Sequence, residues 1–185
     1  MLVTGGARGV GLGIVAALAD FGATPVACAR HSSDELESVS AATFLPCDVR
    51  DEDAVAATLA RIVETHGRID GVINNAGGSP FALAADASPR FASKIVELNL
   101  LAPLIVARAA QAVMRGQEGG GAIVNISSVS GIAPPGTSAY GAAKAGLDSL
   151  TTSLAVEWAP RVRVNSIVAG PVETEQAHLH YGDDA

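Results

Sequence analysis

The stretch Leu2-Val-Thr4-Gly5-Gly6-Ala7-Arg8-Gly9-Val10-Gly11-Leu12-Gly13 decides the fold. Three residues suited to a strand enter a glycine-rich turn, and the turn runs directly into an apolar stretch of helical period. In that order, the helix's unbonded N–H groups and positive end sit over the turn, where an anion is attracted. Glycines there let the backbone come close to a pyrophosphate. Gly5, Arg8, Gly9, Val10 and Gly11 are therefore candidates for holding a dinucleotide.

Outward from this turn, short Val- and Ile-rich runs alternate with longer Ala-rich stretches, the signature of repeated βαβ units. Strands are expected over Leu2 to Thr4, Pro25 to Ala29, Thr43 to Pro46, Gly71 to Asn74, Ala122 to Ser127 and Arg163 to Val168. Their apolar runs lack clean alternation, as in strands covered on both faces. Helices are expected over Val10 to Phe21, Asp34 to Ala41, Asp51 to His66, Pro89 to Gly116 and Ser138 to Ala159. With no linker, repeat or low-complexity segment, residues 1–185 read as a single α/β domain, a doubly wound parallel sheet of about six strands in the Rossmann manner.

Composition excludes several functions. The 185 residues are 49% hydrophobic with a net charge of −7, which repels phosphate backbones, and seven scattered aromatics offer no stacking platform, so no nucleic-acid partner is expected. No signal peptide is visible, no apolar run approaches the roughly 20 residues of a membrane span, and no metal site is expected. Cys28 and Cys47 give neither a disulfide framework nor metal spacing. They read as buried thiols in a reducing cytoplasm.

Tyr140 and Lys144, in Ser138-Ala-Tyr-Gly-Ala-Ala-Lys144, stand four residues apart, which stacks a phenol and an ammonium on one helix face. A nearby cation favours the ionised phenol and pulls its titration toward neutral pH. Such a tyrosine can give and take protons under ordinary conditions.

Four motifs in order, Thr4-Gly5-x-x-x-Gly9-x-Gly11, Asn74-Asn75-Ala76-Gly77, Ser127-Ser128 and Tyr140-x-x-x-Lys144, resemble the short-chain dehydrogenase/reductase family over almost the whole chain. The resemblance implies a hydride transfer between a nicotinamide and a carbonyl or alcohol carbon. It makes Tyr140 the general acid or base and Lys144 the group that lowers its pKa and binds the nicotinamide ribose. It further makes Ser128 the group that polarises the substrate oxygen, and Asn99 the anchor of a proton-relay water. Asn75, Ala76 and Gly77 would line the nicotinamide side, Asp48 and Val49 would meet the adenine, and Gly170, Val172 and Thr174 would hold the nicotinamide amide. The segment departs from the family at Ala169, where proline is usual.

Some alternatives stay open at this level. Asp48 could instead cap the helix starting near Asp51. Strand parity sends Ser127 and Ser128 to opposite faces, and the loop from Ser128 to Tyr140 is one residue shorter than in relatives, so the role could fall to Ser127. Pro103 lacks the N–H that would bond the carbonyl of Asn99, leaving room for a water at a proline kink.

Where an acidic residue at the end of the second strand would repel a 2′-phosphate, the chain has Ala29 and Arg30. Arg30 and Arg8 suit a phosphate, so NADP is expected, with NAD the lesser candidate. By resemblance, residues 172–185 begin a substrate loop that includes His178, His180 and Tyr181. Relatives carry a further helix and a seventh strand, so the sequence reads as a fragment or as a sheet short of one edge. The full-length form is expected to be a homo-oligomer acting on a small carbonyl or alcohol. The alternative is a nucleotide-binding protein of the same fold without turnover. Serine hydrolysis is disfavoured, because no Gly-x-Ser-x-Gly elbow is present.

Overall fold

The computed structural model describes residues 1–132 and 136–175. Its centre is a six-stranded, all-parallel sheet in the order β3-β2-β1-β4-β5-β6. The strands are β1 (Leu2–Thr4), β2 (Val26–Ala29), β3 (Thr43–Pro46), β4 (Gly71–Asn74), β5 (Gly121–Ser128) and β6 (Val162–Ala169). The order reverses beside β1, between β1 and β4, and a doubly wound sheet opens its ligand crevice at such a switch point.

The sheet is covered on both faces, and alternation along the strands decides which residue goes where. Leu2 pairs with Val26 and Val72, and all three face Val55, Leu59 and Ile62 of α3 (Glu52–His66) and Val106 of α5 (Ala102–Met114). Their neighbours Val3, Ala27 and Ile73 face the other side, against Val15 of α1 (Gly9–Asp20) and Leu36 of α2 (Asp34–Glu37). Double coverage is why these strands read as unbroken apolar runs.

Two helices differ from the sequence reading. The helix expected over Asp34 to Ala41 stops at Glu37, because the Ser38 hydroxyl donates back to the Glu35 carbonyl and competes with continuation. The long helix expected over Pro89 to Gly116 is instead α4 (Pro89–Val96), a π-helical segment over Glu97–Leu101, and α5. Within it the Ala102 N–H reaches the Glu97 carbonyl, five residues back. Pro103 therefore enters the helix behind a π bulge rather than at a simple kink. By length and apolar character this continuous stretch, Pro89–Met114, would suffice to cross a bilayer. In the fold its apolar side, Val106, Ala110 and Met114, is instead spent on the sheet.

The last helix, α6 (Ser138–Trp158), packs over β5 and β6 and carries Tyr140 and Lys144. His178, His180 and Tyr181 lie outside the described residues.

Candidate active site

The carboxyl ends of the strands open onto one cleft of about 620 Å³. At its floor α1 begins with no side-chain cap and no acid in its first turn. By contrast Ser33, Asp51 and Ser88 cap α2, α3 and α4. The free N–H groups of α1, beside Arg8, Gly9, Val10 and Gly11, are thus left for whatever enters the cleft.

The glycines of this turn answer to different demands. Gly9, at φ 53°, has nothing nearer than 3.7 Å to an imagined Cβ, so its bareness leaves the cleft open. At Gly11 a Cβ would come 2.6 Å from Asn75 Nδ2 and would strike the Gly5 carbonyl as well. Gly11 is a glycine because the protein's own backbone needs the space. Gly5, at φ 64°, lies against the Ala76 backbone in the same way.

Thr4 ties this turn to the loop after β4. Its buried Oγ1 accepts from the N–H groups of Asn75 and Ala76, both at 3.0 Å, and donates to the Ile73 carbonyl. The Asn75 amide donates to the carbonyls of Thr4 and Gly5 at 3.0 and 3.3 Å. Its side chain is therefore engaged by the glycine turn, while Asn75, Ala76 and Gly77 all still border the cleft.

At the far end, Ala29 and the exposed Arg30 close β2. Asp48 is bound by Arg50 through two hydrogen bonds of 2.9 and 2.6 Å, and this guanidinium holds its carboxyl down at about 2. Asp48 does not cap α3, since the Asp51 carboxylate accepts from the N–H groups of Asp53 and Ala54 and takes that place. Val49 is buried beside it and Cys28 and Cys47 are free thiols in the same wall. Ser33 links this end to the glycine turn by donating to the Ala7 carbonyl at 2.6 Å.

On α6, the Lys144 ammonium stands 5.6 Å from the centre of the Tyr140 ring. Lys144 is only 3% exposed and donates to the Ile126 carbonyl at 2.7 Å. Burial brings its pKa from 10.5 to about 8, with the Asp148 carboxylate pulling the other way. A Cβ at Gly77 would lie 3.4 Å from Lys144 Nζ and 2.6 Å from Asn99 Oδ1, so the bare residue lets both side chains approach.

The two serines divide as strand parity requires. The buried Ser127 hydroxyl donates to Asp148 Oδ2 at 2.9 Å and contacts the Lys144 carbonyl at 3.4 Å. Ser128 Oγ accepts from the Ser130 N–H at 3.1 Å, and both serines border the cleft. Across the opening lie Gly170, Val172 and Thr174, with the Thr174 side chain 3.8 Å from the Cβ position of Gly9.

With this arrangement in view, comparison with known proteins is decisive: the model of the short chain dehydrogenase family matches residues 1–182. The chain belongs to the short-chain dehydrogenase family. Oxidoreductase UcpA of Salmonella typhimurium is 37% identical over 187 residues, covering 95% of this chain and 70% of that protein. Human dehydrogenase/reductase SDR family member 4 is 31% identical, over 98% of this chain and 69% of its own. The crystal structure of a short-chain dehydrogenase from Streptomyces avermitilis superimposes with a TM-score of 0.86 at 32% identity, covering 98% of this chain and 68% of that one. The family is one of oxidoreductases that generally bind a nicotinamide dinucleotide.

Within this short-chain dehydrogenase, Asn99 is the one residue of the expected catalytic set that does not border the cleft. It is 0% exposed. Its Oδ1 accepts from the Gly78 N–H at 2.8 Å, and its Nδ2 donates to the carbonyls of Gly78 and Ile95, both at 2.9 Å. The side chain thus clamps the loop after β4 from behind. Asn74 is likewise buried, donating to Pro103 O and to Asn125 Oδ1, which continues through Thr151 into α6.

Two residues of the site, Arg50 and Asp148, went unnoticed in the sequence, and Thr4 stood there only as a member of the glycine motif, without its bonds. Thr4 shows its partners only once β1 and β4 are aligned, whereas Arg50 lies two residues from Asp48, and that spacing was the local signal that could have found it. Asp148 lies one turn beyond Lys144, where Lys and Asp at that spacing read as an ordinary surface pair.

Proposed function

We propose that the chain is an NADP(H)-dependent oxidoreductase that interconverts a ketone and a secondary alcohol. The observation that carries this is the shared cleft: Tyr140, Lys144 and Ser128 border the same opening as the uncapped start of α1.

The residues present fit a dinucleotide. Free N–H groups of α1 and the open space at Gly9 suit a pyrophosphate. Ala76, Gly77, Gly170, Val172 and Thr174 would surround the nicotinamide, and Asp48 and Val49 the adenine. Arg8 and Arg30 favour a 2′-phosphate, and the carboxylate at the end of β3, Asp48, is already paired with Arg50. When bound, such a cofactor supplies the hydride or accepts it.

The chain's own part is protonic and electrostatic. Tyr140 would exchange a proton with the substrate oxygen, and Ser128 would donate a hydrogen bond to that oxygen. Lys144 below about pH 8 is an ammonium beside the phenol, favouring its ionised form. Asn99 would act by fixing Gly78, and with it the wall of the cleft. Residues 1–185 would form one dinucleotide-binding domain, with 172–185 opening a substrate loop, in a cytoplasmic homo-oligomer.

The test is a pair of titrations and one variant. NADPH is expected to bind more tightly than NADH, with the difference lost in Arg30→Ala. Equal affinities in both proteins would overturn the cofactor choice. In Tyr140→Phe, consumption of NADPH with a panel of ketones is expected to fall by at least about a hundredfold, with NADPH affinity retained. Unchanged consumption would overturn the mechanism.

A further inference from the structure

We propose that Asp148 is a positioning residue of this site, held by Ser127 from β5 and Ser166 from β6 so that it keeps the buried Lys144 an ammonium beside Tyr140. The proposal rests on the reading of Lys144 as the partner of the reacting phenol.

The arrangement is specific. Asp148 Oδ2 accepts from Ser127 at 2.9 Å and Oδ1 accepts from Ser166 at 2.7 Å, so both carboxylate oxygens are engaged by hydroxyls from two adjacent strands. Lys144, one turn earlier, gives one of its N–H bonds to the Ile126 carbonyl. The two charges lie on one helix face yet make no direct ion pair, since the three pairs among the described residues lie elsewhere. That separation has a use. A direct pair would occupy the ammonium's donors, whereas a carboxylate fixed nearby stabilises the charge through a poorly screened interior and leaves those donors to the cleft.

Among the described residues no other charge does this work. The elements packed on α6 are β5, β6, α4, the π segment and the short 3₁₀ turn Val129–Ile132. Neither β5 nor that turn carries a charged side chain, while Arg90 and Lys94 of α4 and Arg163 of β6 are exposed. Glu97 of the π segment acts on Arg50. On α6 itself Tyr140 is the other titratable neighbour, and Glu157 lies more than three turns beyond Lys144. Asp148 is the charge that opposes the burial of Lys144.

The sequence supplies a clean probe, because Lys94 and Lys144 are its two lysines. With ¹³C-labelled lysine, nuclear magnetic resonance follows the protonation of each in the protein without nucleotide, Lys94 serving as the exposed reference. In Asp148→Asn the Lys144 midpoint is expected to move down by about one pH unit or more, a tenfold loss of proton affinity. Asp148→Ser, which removes the same charge with less volume, is expected to give a similar shift, and Asp148→Glu to restore most of the midpoint. A purely structural role would not move it in this pattern. An unmoved midpoint in folded Asn and Ser variants overturns the proposal, as does loss of fold in both.

In turnover, the alkaline limit of NADPH oxidation should shift to lower pH in Asp148→Asn, since the ammonium is lost as pH rises through its pKa. The resonance titration needs neither cofactor nor substrate. A protein that turns over no ketone but shows the midpoint shift would sink the redox reading and leave this one standing. Turnover with an unmoved midpoint would sink this one alone.

Discussion

Lys144 is held where a lysine is costly. Its pKa falls from 10.5 to about 8 through burial, so below pH 8 both folded and unfolded chains carry the proton and the folded state bears the full penalty. Between pH 8 and 10.5 the folded lysine is neutral while the unfolded one is still charged, so stability rises with pH across that window. Lys144→Met is therefore expected to be more stable than the parent by about 1–3 kcal/mol at pH 7. Denaturant unfolding at several pH values should show the gain shrinking toward pH 10.5, and a constant difference would contradict the assignment. Gly11 is a second residue-scale case. Gly11→Ala should cost about 1–3 kcal/mol in the same assay, because the added methyl meets Gly5 and Asn75 with no room to shift. At this scale the sequence was a good guide wherever chemistry is local. The Tyr140–Lys144 spacing and the glycine turn could be read directly. Asp148 could not, because its partners Ser127 and Ser166 arrive from strands 21 and 18 positions away.

The strands were legible to within one residue at either end, since runs such as Gly71–Asn74 are apolar, β-rich and bounded by turn residues. The π segment was not. Asn99 and Pro103 both pointed to that stretch, but the extra residue that lets the helix absorb the proline is a backbone adjustment with no composition of its own. Its effect is to bury Asn99 against Gly78 with two hydrogen bonds, and a third runs back to the Ile95 carbonyl. Asn99→Leu, similar in size, leaves the Gly78 N–H and carbonyl without those partners and should destabilise the chain by roughly 2–4 kcal/mol. Nucleotide affinity should drop with it, as the Gly77–Gly78 wall loosens. A variant with parental stability and affinity would show that the clamp is idle.

Across the whole molecule, the sheet grades from a covered centre to an open flank. β1, at only three residues, is central and wholly buried. β6 pairs with β5 alone among the described residues, and its Ile167 and Val168 are 56% and 51% exposed. An apolar strand with free backbone groups invites pairing with another chain. Ile167→Lys with Val168→Lys is expected to lower light scattering at high protein concentration while leaving nucleotide affinity unchanged. Equal scattering would mean that this flank is not where copies meet. The layered α/β plan was legible because alternating strand and helix patterns admit few other folds. The polar wiring across it, from Asn74 through Asn125 to Thr151, was not, for each member alone looks like a turn residue or a helix hydroxyl.

Ser127 and Ser128 sit side by side at the cleft and differ in what they hold, the first fastened to Asp148 of α6 and the second accepting from the nearby Ser130 N–H. A strand of period two makes that division, and makes it brittle. Removing one residue anywhere between Gly121 and Ile126 would carry Ser128 onto the place of Ser127, against Asp148, and bring the apolar Val129 to the front, where no hydroxyl would then stand.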